Sequence, residues 1–350
     1  MRNSRVNTMI ARPSHSFSKA LLLLASLCLL GCGSDTFYPS GLTGDGSTPG
    51  ITTAYFYTVN ATNNTVLQFR ANGSGSATQT SASITLPAGF NASLLATDAT
   101  GQLYVGGYTT GPNASEVLVY SGVTTAPMLA RTVILQPGKL TALAADSTGQ
   151  IYAAQSNASP TVNVYPAATT GTSTPIRSLT QSDYLYVNDL AVDASGNLYV
   201  CAYNGGIYLV DVFNSAATGS VAPLRTLQSG VGSYFGGIAV DAAGELYVLE
   251  QLTIEKFAPG ASGSPTPLNS INLPTPPAPY TGEAYSNVLR LDTAGNLFVP
   301  TTLSNTSASQ NIVYAFSANQ AGTPTPILQF VPTGATASTP LGINIPLAVF

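Results

Sequence analysis

The sequence carries little charge, a single histidine and no tryptophan. Only 7% of its 350 residues are charged, and the histidine is His15, close to the start. The absence of any other histidine excludes Ser–His–Asp and Cys–His catalysis and histidine metal clusters in the rest of the chain. Eleven Lys and Arg against fifteen Asp and Glu cannot form the basic surface that nucleic acid requires, so no nucleic-acid partner is expected.

Cysteine and long amphipathic stretches are also scarce. The chain has three cysteines, Cys28, Cys32 and Cys201, and with 33 glycines and 24 prolines it leaves little room for long helices. Cys201 follows an apolar run and is expected to be a small buried hydrophobe. The composition therefore favours an all-β protein of short strands and many turns.

Residues 1–31 have the composition of a signal peptide. Four basic residues precede the apolar run Leu21–Leu30, which is too short to cross a bilayer. The run ends Leu29-Leu30-Gly31-Cys32 and resembles the lipobox of bacterial lipoproteins. That resemblance implies cleavage before Cys32 and lipidation of its sulfur and new amino group. The alternative is an ordinary secretory signal peptide followed by an incidental cysteine.

The resemblance also implies a location. Two or more acyl chains give stable membrane anchoring, and Gly33 and Ser34, in place of an acidic residue, imply the outer membrane of the bacterial cell envelope. Residues 32–50 would then be the lipidated cysteine and a flexible tether, with the folded domain at 51–350. Cleavage would leave seven basic against fifteen acidic residues, a net charge of −8.

One motif organises residues 51–350. The stretch Leu190-Ala-Val-Asp-Ala-Ser-Gly-Asn-Leu-Tyr-Val200 returns in five copies, spaced by 47 to 51 residues. Its aspartates are Asp98, Asp146, Asp193, Asp241 and Asp292, and its glycines are Gly101, Gly149, Gly196, Gly244 and Gly295. A period of this length, built only from strands and turns, is typical of propeller blades. The Asp and Gly suit a tight turn between two strands, so a structural role is expected for both.

The strand pattern predicts six blades of four strands. A third apolar run in each unit ends in an aromatic, and a fourth often begins with proline, which edge strands tolerate. Residues 54–86 supply only the second, third and fourth strands of a blade. The segment Gly342–Ile345 resembles an inner strand, with Pro346 in the place of the turn aspartate. We therefore expect a shared blade, one C-terminal strand with three N-terminal strands, to close the ring and remove open edges.

The repeat resembles the NHL repeats of six-bladed propellers, and it is similar to the broader group of gluconolactonases (SMP-30-like) and streptogramin lyases. Streptogramin-lyase-like chemistry implies a histidine base, which this chain lacks beyond His15. Gluconolactonase-like members imply a divalent cation held by oxygen ligands over the channel. The matching candidates are Asp183, Asn188, Asp189, Glu283 and Asn287, and oxygen ligands favour Ca²⁺. The alternative is that these side chains satisfy loop backbone groups.

One column of the inner strands departs from the pattern. Two residues before the turn aspartate, four units have alanine (Ala96, Ala144, Ala191 and Ala239), the fifth has Arg290, and the C-terminal strand was aligned to place Asn344 there. An arginine on an apolar inner strand is costly unless it is paired or solvated. Either Arg290 bonds to Asn344 and nearby carbonyls and locks the closure, or it projects into the channel mouth and binds a ligand beside Asn287 and Glu283.

Two functions are consistent with these patterns. The first is a membrane-anchored, monomeric binding or scaffold module without a cofactor, whose partner is a protein, peptide or glycan. Its candidate ligand-binding residues are Arg290, Asn344, Asn287, Glu283, Asn188 and Asp189. The alternative is a metal-dependent lactonase or esterase of gluconolactonase type, with Ca²⁺ in the channel.

Overall fold

A computed structural model describes residues 51–73, 77–156, 159–284, 287–306, 309–332 and 347–349. All regular structure in these ranges is β, which confirms the predicted class. Within the same ranges no helix is long and apolar enough to span a lipid bilayer.

The strands form six antiparallel blades arranged in a ring, as predicted. Blade 1 contains β5 (Asn91–Thr97), β6 (Leu103–Tyr108), β7 (Ser115–Ser121) and β8 (Met128–Ile134), with β12 (Gly171–Thr172) added at its edge. Blade 2 contains β9 (Lys139–Ala145), β10 (Ile151–Ser156), β11 (Thr161–Tyr165) and β13 (Arg177–Thr180). Blade 3 contains β14 (Tyr186–Val192), β15 (Leu198–Tyr203), β16 (Tyr208–Phe213) and β17 (Arg225–Gln228).

The remaining blades complete the ring. Blade 4 contains β18 (Phe235–Val240), β19 (Leu246–Glu250), β20 (Thr253–Phe257) and β21 (Asn269–Asn272). Blade 5 contains β22 (Gly282–Ala284), β23 (Arg290–Leu291), β24 (Asn296–Ser304), β25 (Ser309–Ser317) and β26 (Leu328–Phe330). Blade 6 joins β27 (Leu347–Val349) to β1 (Ile51–Asn60), β2 (Thr65–Gly73), β3 (Ala77–Gln79) and β4 (Ile84–Thr85).

The repeated Asp-x-x-Gly turn joins the first two strands of a blade through side-chain hydrogen bonds. In blade 2, Oδ1 of Asp146 accepts from the backbone N–H groups of Thr148, at 2.9 Å, and Gln150, at 3.0 Å. Its Oδ2 accepts from the hydroxyl of Tyr152 at 3.1 Å. Gly149 takes a φ of +84°, a left-handed conformation in which only glycine is unstrained. The aspartate thus organises the turn through its side chain.

Most of the basic side chains lie over these blade tyrosines. A Lys or Arg from the third or fourth strand lies 5.5 to 5.9 Å from the centre of a tyrosine ring in five blades. The pairs are Arg70 with Tyr55, Arg131 with Tyr104, Arg177 with Tyr152, Arg225 with Tyr199 and Lys256 with Tyr247. Cation–π contacts of this kind stabilise the blade and occupy the cation.

The closing strand of blade 6 comes from the C-terminal segment, as predicted. The inner strand that pairs with β1 is Leu347–Val349, opposite Thr58 to Phe56. The segment Gly342–Ile345, which was predicted to resemble an inner strand, lies outside the described residues. The hydroxyl of Thr97 in blade 1 donates to the carbonyl of Val349 at 2.6 Å and ties the closing strand to its neighbour.

Candidate functional site at the channel mouth

The inner strands define two different ends of the ring. The inner strands of blades 1 to 5 each end at an Asp-x-x-Gly turn, and these turns lie together on one face, which we call the turn face. The inner strands begin on the opposite face, which we call the channel mouth. Residues at the starts of β9 and β14 and at the end of β6 therefore meet there, although they are far apart in sequence.

A cavity of about 430 Å³ opens at the channel mouth. Its described lining combines aliphatic side chains, hydroxyls, amides, two tyrosines and one lysine. The lining residues are Val59, Ala61, Ala92, Ser93, Leu94, Gly107, Tyr108, Pro112, Ser115, Lys139, Leu140, Thr141, Tyr186, Val187, Asn188 and Asn287. Its volume is within the range of small-molecule sites, about 300–1,000 Å³.

Four tyrosines from blades 3 and 4 form a cluster beside this cavity. The ring of Tyr203 lies 5.1 Å from that of Tyr186 and 4.7 Å from that of Tyr208, which in turn lies 4.7 Å from the ring of Tyr234. The hydroxyls of Tyr186 and Tyr208 share a hydrogen bond of 2.6 Å, and the hydroxyl of Tyr234 donates to Oδ1 of Asn287. Burial, followed by the bond to Tyr186, raises the pKa of Tyr208. The phenol of Tyr208 therefore stays protonated at neutral pH, and the cluster presents hydroxyl groups that can donate hydrogen bonds.

Deeper in the channel, Arg290 is held by a buried carboxylate. Its Nη1 lies 2.9 Å from Oδ2 of Asp189, whose side chain is 3% exposed, and it also donates to the carbonyl of Leu289. The same Oδ2 accepts from the backbone N–H of Ile238 at 3.0 Å. Burial raises the pKa of Asp189, and the guanidinium of Arg290 opposes that shift. One carboxylate thus connects the inner strands of blades 3, 4 and 5.

Arg290 belongs to the channel wall. It lines a cavity of about 160 Å³ together with the small side chains of the inner strands, including Ala96, Ala144 and Ala239. This position is consistent with the predicted placement on the axis. Asp189 was predicted as a candidate ligand-binding residue and not as the partner of Arg290, and Asn344, the predicted partner, lies outside the described residues.

The carboxylate of Glu283 lies against its own blade. Burial raises the pKa of Glu283 to about 7, and the nearby hydroxyl of Thr301 opposes that shift. Burial also raises the pKa of Tyr314 in β25, and the charge of Glu283 adds to that shift. The structure therefore places this carboxylate beside Thr301 and Tyr314, and Asp189 instead beside Arg290.

Three of the five oxygen ligands proposed for Ca²⁺, Asp189, Asn188 and Asn287, contact other protein groups. Asp189 is neutralised by Arg290, whose positive charge would repel a metal ion in the channel. The amide of Asn188 donates to the carbonyl of Phe235, and Oδ1 of Asn287 accepts from Tyr234. Among the described residues, no group of three or more His, Cys, Asp or Glu side chains could hold a metal ion.

The sequence motifs did not identify the tyrosine cluster or Lys139. The tyrosines of the cluster lie near strand ends, at different distances in sequence from the Asp-x-x-Gly turn, so no single motif identifies them. The available signal was the local density of tyrosine, since two members of the cluster, Tyr203 and Tyr208, lie in a stretch of ten residues that also contains Tyr199. Asn188 and Asn287 were predicted, and both line the cavity.

Similarity to solved structures supports the fold. A protein of unknown function from Bacteroides caccae aligns with a TM-score of 0.52 and 8% identity, over 85% of this chain and 98% of that chain. A protein from Lactobacillus plantarum aligns with a TM-score of 0.53 and 18% identity, over 81% and 82% of the two chains. No protein-family model and no curated protein matches the sequence. Together the sheets and these similarities define the class of the protein as a six-bladed β-propeller; membership of the NHL group stays a prediction.

Proposed function

We propose that this propeller is a binding module, anchored in the bacterial envelope through Cys32, that takes its ligand at the channel mouth. The observation that carries the proposal is the cavity of about 430 Å³ lined by Tyr186, Asn188 and Asn287 and bordered by the tyrosine cluster. Tyrosine and amide side chains are typical of binding surfaces, because they combine apolar area with hydrogen-bonding groups.

The loops around the mouth support a contact surface. Leu185, just before β14, is 60% exposed, and Val231, in the loop before β18, is 97% exposed. Both residues precede inner strands and so belong to the channel-mouth face, where exposed apolar side chains add to the area that a partner can contact. The lactonase alternative has less support in the described residues, because Asp189 is paired with Arg290 and Oδ1 of Asn287 accepts from Tyr234.

Ala61 allows the cavity to be tested directly. The chain has no tryptophan, and Ala61 is an exposed residue of the cavity lining, so Ala61→Trp introduces a single fluorophore at the rim. We expect saturable fluorescence changes when the full-length variant, held in lipid nanodiscs, is titrated with small probes. The probes are N-acetylglucosamine, N-acetylalanine methylamide, hexanamide and hexanoate.

Two variants control this titration. Ala216→Trp places the fluorophore in an exposed turn after β16, at the opposite end of the blade, and should not respond. Adding Tyr186→Ala to Ala61→Trp should weaken the response, because it removes one wall of the cavity. The proposal fails if no probe gives a saturable change, or if both tryptophans respond alike.

The proposed lipid anchor at Cys32 can be tested separately. Cells grown with labelled palmitate should incorporate label into the wild-type chain and not into Cys32→Ala, because the thioether and the new amino group both require Cys32. Cys201→Ala is the matched control, since Cys201 is buried in the blade and free, and should label as wild type does. Equal labelling of the wild type and Cys32→Ala, or no labelling of either, contradicts the anchor.

A further inference from the structure

We infer that the ligand of the channel mouth is an organic anion, with an apolar body in the cavity and a carboxylate or phosphate end on Lys139. This inference rests on the proposed function and specifies its ligand. It follows from how the molecule uses its few positive charges.

Lys139 is the uncommitted cation among the described residues. Those residues contain seven Lys and Arg, of which five lie over tyrosine rings. Arg290 is paired with Asp189. The side chain of Lys139 is exposed and takes part in no ion pair, hydrogen bond or ring contact in the described part of the chain. Among the described residues, the one unpaired cation therefore lies at the cavity of the channel mouth.

The charge at the cavity has one sign. Lys139 is the only charged side chain among the described residues that line it, although acidic residues outnumber basic ones in the chain. An anion seated there meets an attractive charge and no carboxylate in direct contact. A partly enclosed site strengthens that attraction relative to open water, because fewer water molecules screen it. A neutral sugar or a neutral peptide would leave the lysine unused.

The remaining surface of the cavity suits an apolar body. Leu94, Leu140 and Val187 contribute aliphatic side chains, and Tyr186 contributes an aromatic wall. Hydroxyl and amide groups, among them Thr141 and Asn188, are available to orient the polar end. Lysine acts as a point charge and does not impose the bidentate geometry of arginine, so carboxylate and phosphate ends share the same chemistry here.

The test compares three ligands of one chain length. Full-length Ala61→Trp in nanodiscs of zwitterionic lipid is titrated with hexanoate, hexyl phosphate and hexanamide. We expect at least one anion to bind about tenfold or more tightly than the amide, the usual gain from a hydrogen bond to a charged group. The anion that binds more tightly identifies the end group.

Variants at Lys139 test whether its positive charge causes the preference for an anion. Lys139→Met, added to Ala61→Trp, should remove the advantage of the anion over hexanamide, whereas Lys139→Arg should retain it. Lys256→Met is the matched control: it removes the same unit of charge, but from a lysine paired with Glu245 at 2.6 Å, and should bind like the parent.

The anion inference and the proposed function fail under different results. If hexanamide binds as tightly as both anions, or if Lys139→Met still prefers the anion, the anion inference is wrong while the cavity remains a binding site. If no probe binds at all, the proposed function fails with it.

Discussion

Deleting Leu347–Phe350 should lower the melting temperature by about 10 °C or more, at about 2–4 °C per kcal/mol or somewhat less for a chain of this size. Leu347 and Ala348 are fully buried and Val349 is 5% exposed, so the deletion removes packed side chains from the ring. It also removes the backbone partner of β1 at Phe56, Tyr57 and Thr58. Blade 6 would then present an unpaired inner edge, which costs hydrogen bonds and invites aggregation.

Two comparisons isolate the closing strand. Deleting residues 33–50 should have a much smaller effect, because their composition predicts a tether that buries little. Ala348→Asp should reproduce much of the loss, because it places a carboxylate at a fully buried position. Ala216→Asp, in an exposed turn, should not. Similar melting temperatures for the two deletions in differential scanning calorimetry would refute closure by the C-terminal strand.

The sequence predicted the fold because the fold is repetitive. Each Asp-x-x-Gly turn uses local hydrogen bonds, so the same residues recur wherever the same turn forms. The closing blade was predicted as one C-terminal strand joined to three N-terminal strands, and β27 pairs with β1 in this way. The register of that strand was harder to predict, because no Asp-x-x-Gly turn follows Pro346 and a short apolar segment can be aligned in more than one register.

The site was harder to predict because closure of the ring brings it together. Asp189 and Arg290 are 101 residues apart, and Tyr186 and Tyr234 belong to different blades. Lys139 at the start of a strand looks like any solvated lysine until its neighbours are known. Lys139 is distinguished by its lack of a partner, because the other six described Lys and Arg side chains lie over a tyrosine ring or pair with a carboxylate. Most of these cation–π contacts recur from blade to blade.

The buried pair of Asp189 and Arg290 should be the most sensitive single contact of the channel. Arg290→Met keeps the bulk of the side chain and leaves the carboxylate of Asp189, 3% exposed, without its cation. Removing one partner of a buried pair costs about 3–5 kcal/mol. Asp189→Leu together with Arg290→Met should recover most of the loss, because an apolar pair needs no compensation. Urea unfolding of the two variants and the wild type measures both effects.

The pH dependence of Arg290→Met tests the same assignment. Burial raises the pKa of Asp189 above its ordinary value of 3.8, and Arg290 opposes that shift, so its removal should raise the pKa further. A group whose pKa is higher in the folded state binds protons more tightly when folded, so folding is favoured as the pH falls. The loss of unfolding free energy in Arg290→Met should therefore be complete at pH values above the pKa of Asp189 in the folded state, and it should diminish as the pH falls through that pKa. The double variant has no carboxylate at this position and should lack this pH dependence.

Other outcomes would point to a different role for the arginine. If Arg290→Met is as stable as the wild type at every pH but no longer binds the probes of the channel mouth, Arg290 is a ligand-binding residue and its bond to Asp189 contributes little to folding. Lys139→Met is the control for urea unfolding and for its pH dependence. Its side chain is exposed and unpaired, so it should unfold at the same urea concentration as the wild type and show no added dependence on pH.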